Sequence, residues 1–250
     1  DAAQAMLGGD LNGQIIASSF AARTLGIPFL GLYGACSTFI QALILGASLV
    51  SGGYLDNALC AASSHYCTAE RQFRFPVEMG NQRPPQASWT TTACGCALLS
   101  RQAAPDALRV TCGTIGRVID LEIKDSNHMG AAIAPAVCSC ISAHFADTGR
   151  TAADYDLIAT GDLGWIGRNI LMELFHRDGT DMPDEKLIDC GASIFFQEQD
   201  SHAGGSGCGC VASVSCGWLM KRLQRGELKR ALITGSGAML SPISCQQGQS

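Results

Sequence analysis

A block of residues recurs 173 positions further along the chain, and this recurrence limits the fold more than any other property of the sequence. Gly34 falls opposite Gly207 and Gly53 opposite Gly226 (207 minus 34, 226 minus 53), with Leu55, Ala58 and Leu59 opposite Leu228, Ala231 and Leu232. In the first copy, residues 28–33 read as a buried strand, 37–50 as a helix apolar on every side, and 57–62 as a second strand, with Gly52-Gly53 stopping the helix. In the second copy, 203–210 form a glycine-rich lead-in, 211–223 a helix stopped at Gly226, and 230–234 a strand. Upstream, Gly9-Asp10-Leu11 is echoed by Gly161-Asp162-Leu163 after another strand-like run. A repeated βαβ unit predicts two similar halves related by a pseudo-twofold axis, with mixed, mainly parallel sheets sandwiching buried helices. The boundary between the halves is drawn at 1–105 and 106–250. In such α/β folds the loops at the carboxyl ends of the strands converge on one crevice. The turns at Cys36 and Gly207 are therefore expected to start two adjacent helices facing one site.

The 250 residues are 47% hydrophobic and 16% charged, enough apolar material for a sizeable core. A net charge of −5 argues against nucleic acid or an anionic membrane as an electrostatic partner. The uncharged stretch from Thr24 to Leu55 is the nearest approach to a membrane span. Pro28, its glycines and its short helical part make it a core helix, so no transmembrane segment is expected. No secretory leader is legible in the opening residues. The thirteen cysteines lie in Ala/Gly/Ser-rich runs, as Cys138 with Cys140 and Cys208 with Cys210, and no CxxC spacing occurs. That pattern fits a reducing, intracellular compartment, with no disulfide framework, no metal and no cofactor expected.

The first chemical candidate is Cys36, in Gly34-Ala35-Cys36-Ser37-Thr38 at the mouth of the uncharged helix. Unpaired N–H groups and the dipole at a helix start favour a thiolate, and the same place binds anions. The alternative is a small apolar residue buried at a strand–helix junction. The second candidate is the run from Ser63 to Pro85, where Arg71, Arg74 and Arg83 interleave with Tyr66, Phe73 and Phe75. Planar guanidinium forks match carboxylates and aromatic rings stack on flat ligands, so this loop suits a planar, aromatic, anionic small molecule. The alternative is a surface loop whose arginines pair with Glu70 and Glu78. The third candidate is Asp200-Ser201-His202-Ala203-Gly204-Gly205-Ser206-Gly207, where His202 is placed either to serve Cys36 as a base or to bond a backbone carbonyl. His65, next to Ser64, rivals it. His128, His144 and His176 are read as having no part in the site.

These residues resemble the thiolase and ketoacyl-synthase superfamily. More narrowly, Gly31 to Thr38, Thr68 to Pro76, Gly80 to Pro85, His202 to Cys210 and Leu240-Ser241-Pro242 resemble the stage V sporulation protein AD family. The resemblance implies a thiolase-like fold, with an opening strand–helix unit and a final strand outside these 250 residues. It also implies a non-catalytic protein of endospore-forming bacteria that binds dipicolinic acid. Such a protein would help move the acid, with calcium, into the developing spore as one subunit of a membrane channel complex. It would be peripheral to the inner membrane of the forespore or spore, and edge-to-edge pairing in the superfamily suggests a homodimer. Thiolases carry Asn-Glu-Ala-Phe, and the fatty-acid condensing enzymes His-Gln-Ala-Asn, where this chain has Thr160-Gly161-Asp162-Leu163-Gly164. The second thiolase cysteine is also replaced, by Ile233-Thr234-Gly235-Ser236-Gly237.

The site expected from these readings comprises Cys36, Ser37, Ser64, His65, Arg71, Phe73, Arg74, Arg83, His202 and Ser206. Cys36 and His202 stand as vestigial catalytic candidates, and the ligand is expected in the crevice near Cys36. Two rival readings remain: a Cys-dependent acyltransferase or condensing enzyme using Cys36 and His202, and a purely structural subunit of the membrane complex.

Overall fold

A computed structural model describes residues 3–248, apart from residues 75, 81, 103, 239 and 241 and the side chain of Pro242. Phe75, Asn81 and Ser241, which carry part of the resemblance, lie outside the described residues.

The first half opens with β1 (Met6–Asp10), α1 (Ile16–Leu25) and β2 (Phe29–Gly31). A 3-10 turn, Ala35–Ser37, then leads into α2 (Thr38–Ser51), β3 (Asn57–Ser64) and α3 (Tyr66–Phe73). β4 (Trp89–Thr90) and β5 (Ala93–Ser100) follow. The second half contains α4 (Met129–Thr148), β6 (Leu157–Thr160), α5 (Gly164–Arg177) and β7 (Leu187–Asp189). Then come α6 (Cys190–Ser193), β8 (Gly205–Ser206), α7 (Cys208–Val214) and α8 (Met220–Gln224), the last two joined by a π turn at Ser215–Leu219. β9 (Ala231–Thr234) and α9 (Pro242–Gln246) close the described chain.

The duplication read from the sequence reappears as topology. One sheet runs β2-β1-β3 in parallel and the other β7-β6-β9 in parallel, so each repeat orders its strands alike. β5 extends the first sheet, antiparallel to β3. Gly53 and Gly226, paired by the repeat, both take positive φ, 84° and 72°, just past their helices. Of the 21-residue difference between the two offsets (173 minus 152), 6 residues fall between the first and second strands (Phe29 against Leu187, an offset of 158) and the other 15 between the second strand and the helix, where α6 and β8 lie.

α2 and α7 pack on each other and on β3 and β5, which is why neither helix carries a charged residue. Phe39, Ala42, Val211 and Ala212 from these helices join Leu7, Cys60, Leu157 and Ala159 in one core fed by both sheets. A second core, built from Ile133, Val137, Ile141, Leu171 and Phe175, lies between α4, α5 and β6.

α4 corrects one reading of the sequence. Among the described residues it is the helix long and apolar enough to cross a membrane, whereas the stretch expected to come nearest to a span was Thr24 to Leu55. Its apolar residues meet α5, and it carries Pro135, with His128 capping its start by accepting the Ala131 N–H at 3.2 Å. All thirteen cysteines are free thiols.

Candidate functional site

The turn bearing Cys36 is closed by its own hydroxyls. Ser37 Oγ donates to Gly34 O at 2.6 Å, and Thr38 Oγ1 donates to Ala35 O at 2.7 Å while accepting the Gly34 N–H at 3.1 Å. These bonds hold Ala35 at φ 49°, an unusual conformation for a residue with a side chain. Gly237 lies so close behind that a Cβ there would come within 2.3 Å of Gly34 O and 3.2 Å of Cys36 N. Ser37 is therefore a closing residue of the turn.

Cys36 is 2% exposed and sits against the carboxylate of Asp162, at the end of β6. Asp162 is equally buried; its Oδ2 accepts the Ser206 hydroxyl at 3.2 Å and the Gly207 N–H at 2.7 Å. One carboxylate thus ties the start of α7 to the turn before α2, and Ser206 serves that tie. Asp189 fixes the loop that presents Asp162. Its two oxygens accept Thr160 Oγ1 at 2.7 Å, the N–H groups of Leu163 and Gly164 at 2.9 Å each, and that of Ala192 at 2.8 Å. Asp10, at the equivalent end of β1, is also buried and accepts the Asn12 N–H at 2.8 Å.

The electrostatics reverse the expectation for Cys36. Burial first, and the Asp162 charge second, push its thiol well above the ordinary cysteine range. Burial likewise raises Asp162 and Asp10, and lifts Asp189 to about 6. A helix start can stabilise a thiolate only where no carboxylate and no desolvation oppose it, and here both do.

The structure gives His202 a different neighbour from the one expected. It is exposed, at φ 51°, and lies edge-on to Trp89 with ring centroids 6.2 Å apart. Trp89 stacks on Tyr66 at 6.1 Å and 13°, and the Arg83 guanidinium lies 3.9 Å over the Trp89 ring. The two-strand ladder β4–β8, pairing Trp89 with Gly205, brings this group together across the halves.

Arg74 and Arg83 converge on one acid, Glu70. Arg74 Nε lies 3.2 Å from Glu70 Oε2, and Arg83 Nη2 bonds the same oxygen. Both arginines also donate to Ser88 O, at 2.8 and 2.9 Å, and Arg74 reaches Asn127 Oδ1 at 3.4 Å. The Arg83 side chain is 8% exposed, that of Glu70 10% and that of Arg74 25%. Two partly buried cations on one anion leave a net positive charge beside stacked rings. Arg71 stays exposed on α3, and Phe73 packs against the main core.

Of the remaining expected residues, Ser64 Oγ donates to Thr91 O at 2.6 Å and accepts the Gly209 N–H at 3.2 Å, stitching β3 to α7. His65 precedes α3 and lies near Asp10. Asp162, Trp89, Ser88 and Asn127 were not among the residues expected at the site. The Gly-Asp-Leu echo located Asp162 at a strand end and served there only to align the halves. Nothing in the sequence marked Trp89, Ser88 or Asn127, which join the cluster through tertiary packing.

The arrangement therefore has two parts: a buried thiol beside a buried carboxylate, and an arginine–aromatic cluster with a net positive charge. Comparison with solved structures identifies the fold. A 3-oxoacyl-[acyl-carrier-protein] synthase III from Aquifex aeolicus VF5 superposes with a TM-score of 0.62 at 15% identity, over 94% of this chain and 74% of that one. A cerulenin-bound variant of OleA from Xanthomonas campestris gives 0.64 at 17%, over 94% and 70%. The likeness is one of fold, which is thiolase-like. The sequence is 44% identical over 242 residues to stage V sporulation protein AD of Bacillus subtilis (strain 168), spanning 97% of this chain and 71% of that protein. The family description of stage V sporulation protein AD matches residues 1–250. The chain thus belongs to the stage V sporulation protein AD family.

Proposed function

We propose that this sporulation-family protein is a non-catalytic binder of dipicolinic acid, taken up with calcium, and acts as a peripheral subunit of a channel complex at the inner spore membrane. The observation that carries this reading is the pair Arg74 and Arg83 on the single acid Glu70, beside the Tyr66–Trp89 stack and His202. A flat pyridine with two carboxylates offers the charge and the ring that such a cluster takes. The buried carboxylates Asp10, Asp162 and Asp189 make the Cys36 end unfavourable for a dianion, so the ligand is placed toward the arginines rather than against the thiol. Cys36 facing Asp162, with His202 turned to Trp89, supports binding over acyl transfer.

Calorimetric titration with dipicolinic acid tests this reading, with benzoate as a one-carboxylate control and Arg74→Gln as the variant. A charged hydrogen bond contributes about 1.5–3 kcal/mol, so saturable binding should weaken tenfold or more in the variant. No heat with the unaltered protein overturns the reading.

A second reading, a Cys36-dependent acyltransferase, is favoured by one observation: the fold is shared with condensing enzymes. Intact-protein mass spectrometry after incubation with an acyl-CoA reads it directly, as an adduct or its absence.

A further inference from the structure

The carboxylate of Asp162 faces Cys36 with one oxygen still open. Oδ2 has Ser206 and Gly207 as donors, whereas Oδ1 has no hydrogen-bond partner although the residue is 2% exposed and Cys36 lies beside its carboxylate. An ionised oxygen left bare in the interior is costly, and a thiol S–H is a donor, though a weak one. Two groups sharing a buried site do not readily both become anions. The other titratable groups facing Cys36 add no positive charge: Cys208 and Cys210 on α7, and Tyr33 after β2. Asp189 and Cys190 stand behind Asp162, and Asp10 lies beyond Tyr33 with His65 near it.

We propose that Asp162 holds Cys36 as its thiol: the S–H donates to the carboxylate, the pair carries a single negative charge on oxygen, and the sulfur stays unreactive toward acyl donors. The proposal rests on the non-catalytic reading above and supplies its chemical reason. Asp162 is on this account a positioning residue that fixes the proton on sulfur. Neutralising it removes one of the two influences that keep the proton on sulfur, while burial remains, so the thiolate becomes easier to form without becoming the favoured state.

The test is peptide-resolved alkylation of Cys36 by iodoacetamide between pH 6 and 11, in the full chain and in Asp162→Asn, quantified by mass spectrometry. The labelling rate is read as the ratio of variant to unaltered protein at each pH, because below the midpoint a lowered midpoint raises the thiolate fraction by the same factor throughout. Removing a neighbouring charge in a partly desolvated site moves a midpoint by about one unit or more, so Cys36 labelling at pH 8 should rise about tenfold. Cys60, buried and removed from Asp162, should keep its profile. A Cys36 rate ratio near one in a folded variant overturns the proposal. If Asp162→Asn does not fold, carbon NMR titration of the Asp162 carboxyl in Cys36→Ala replaces it. Loss of the thiol donor should raise that midpoint, and no movement overturns the proposal. Failure of dipicolinic acid to bind would sink the carrier reading and leave this titration standing.

Discussion

Replacing Glu70 by Gln should set stability and ligand affinity moving in opposite directions. The change keeps the side chain's volume and removes the one negative charge that two partly buried guanidiniums share. Stripping one partner from a buried ion pair typically costs about 3–5 kcal/mol. Here the loss is smaller, because Arg83 keeps Ser88 O and the Trp89 ring, and Arg74 keeps Ser88 O and Asn127. A loss of about 2–3 kcal/mol is expected. With an m-value of about 3 kcal/mol/M in urea, the unfolding midpoint followed by tryptophan fluorescence should drop by about 0.7–1 M. Glu70 also competes with a dianionic ligand for the same donors. Removing a like charge about 6 Å from a bound carboxylate is worth about 1–3 kcal/mol at intermediate dielectric, so dipicolinic acid should bind roughly tenfold more tightly. A midpoint that moves by less than 0.2 M would refute the view that Glu70 neutralises the cluster. Loss of both stability and affinity would make Glu70 a scaffold rather than a competitor.

Two further outcomes follow from the same geometry. Gly237→Ala drives a methyl group toward Gly34 O at 2.3 Å, so it should lower the melting temperature by several degrees and displace the Cys36 turn. An unshifted melting curve would show that the turn yields freely. The carboxyl of Asp189, held at about 6 in the fold against 3.8 for the free group, prefers its neutral form there. Its contribution to stability is therefore greatest below pH 4 and declines by about 3 kcal/mol as pH rises through 6. Carbon NMR of that carboxyl should titrate near 6, and a midpoint near 4 would contradict the sign.

The repeated βαβ order was legible because strand and helix periods depend on local sequence, and glycines at helix ends leave a mark in any register. Cys36 at a helix mouth and the arginine–aromatic loop were legible for the same reason. What the sequence could not carry was which partner each charge would meet. Glu70 lies four residues from Arg74 on one helix face, yet its second partner, Arg83, arrives from a separate loop. His202 looked like a base for Cys36 because both sit beside glycine-rich turns. The pairing of β4 with β8 instead placed it on Trp89, a contact 113 residues apart in sequence (202 minus 89). Asp162 was visible as a repeat marker, but its role depends on a thiol 126 residues earlier (162 minus 36). The apolar length of α4 is hard to read in the sequence because small residues and Pro135 dilute its hydrophobic run.

The central core has a consequence for synthesis. α2 carries no charge, and its buried side is covered in part by α7, which lies about 173 residues later in the chain (207 minus 34). At 5–20 residues per second, a ribosome takes roughly 9–35 s to deliver the covering helix. During that interval the nascent first half holds Phe39, Ala42 and Leu43 without their final neighbours. Its edge strands are equally available to other chains. A chain built this way is vulnerable to misassociation before its second repeat exists, and chaperone occupancy on the ribosome should peak after residue 51 and fall once residue 214 has emerged.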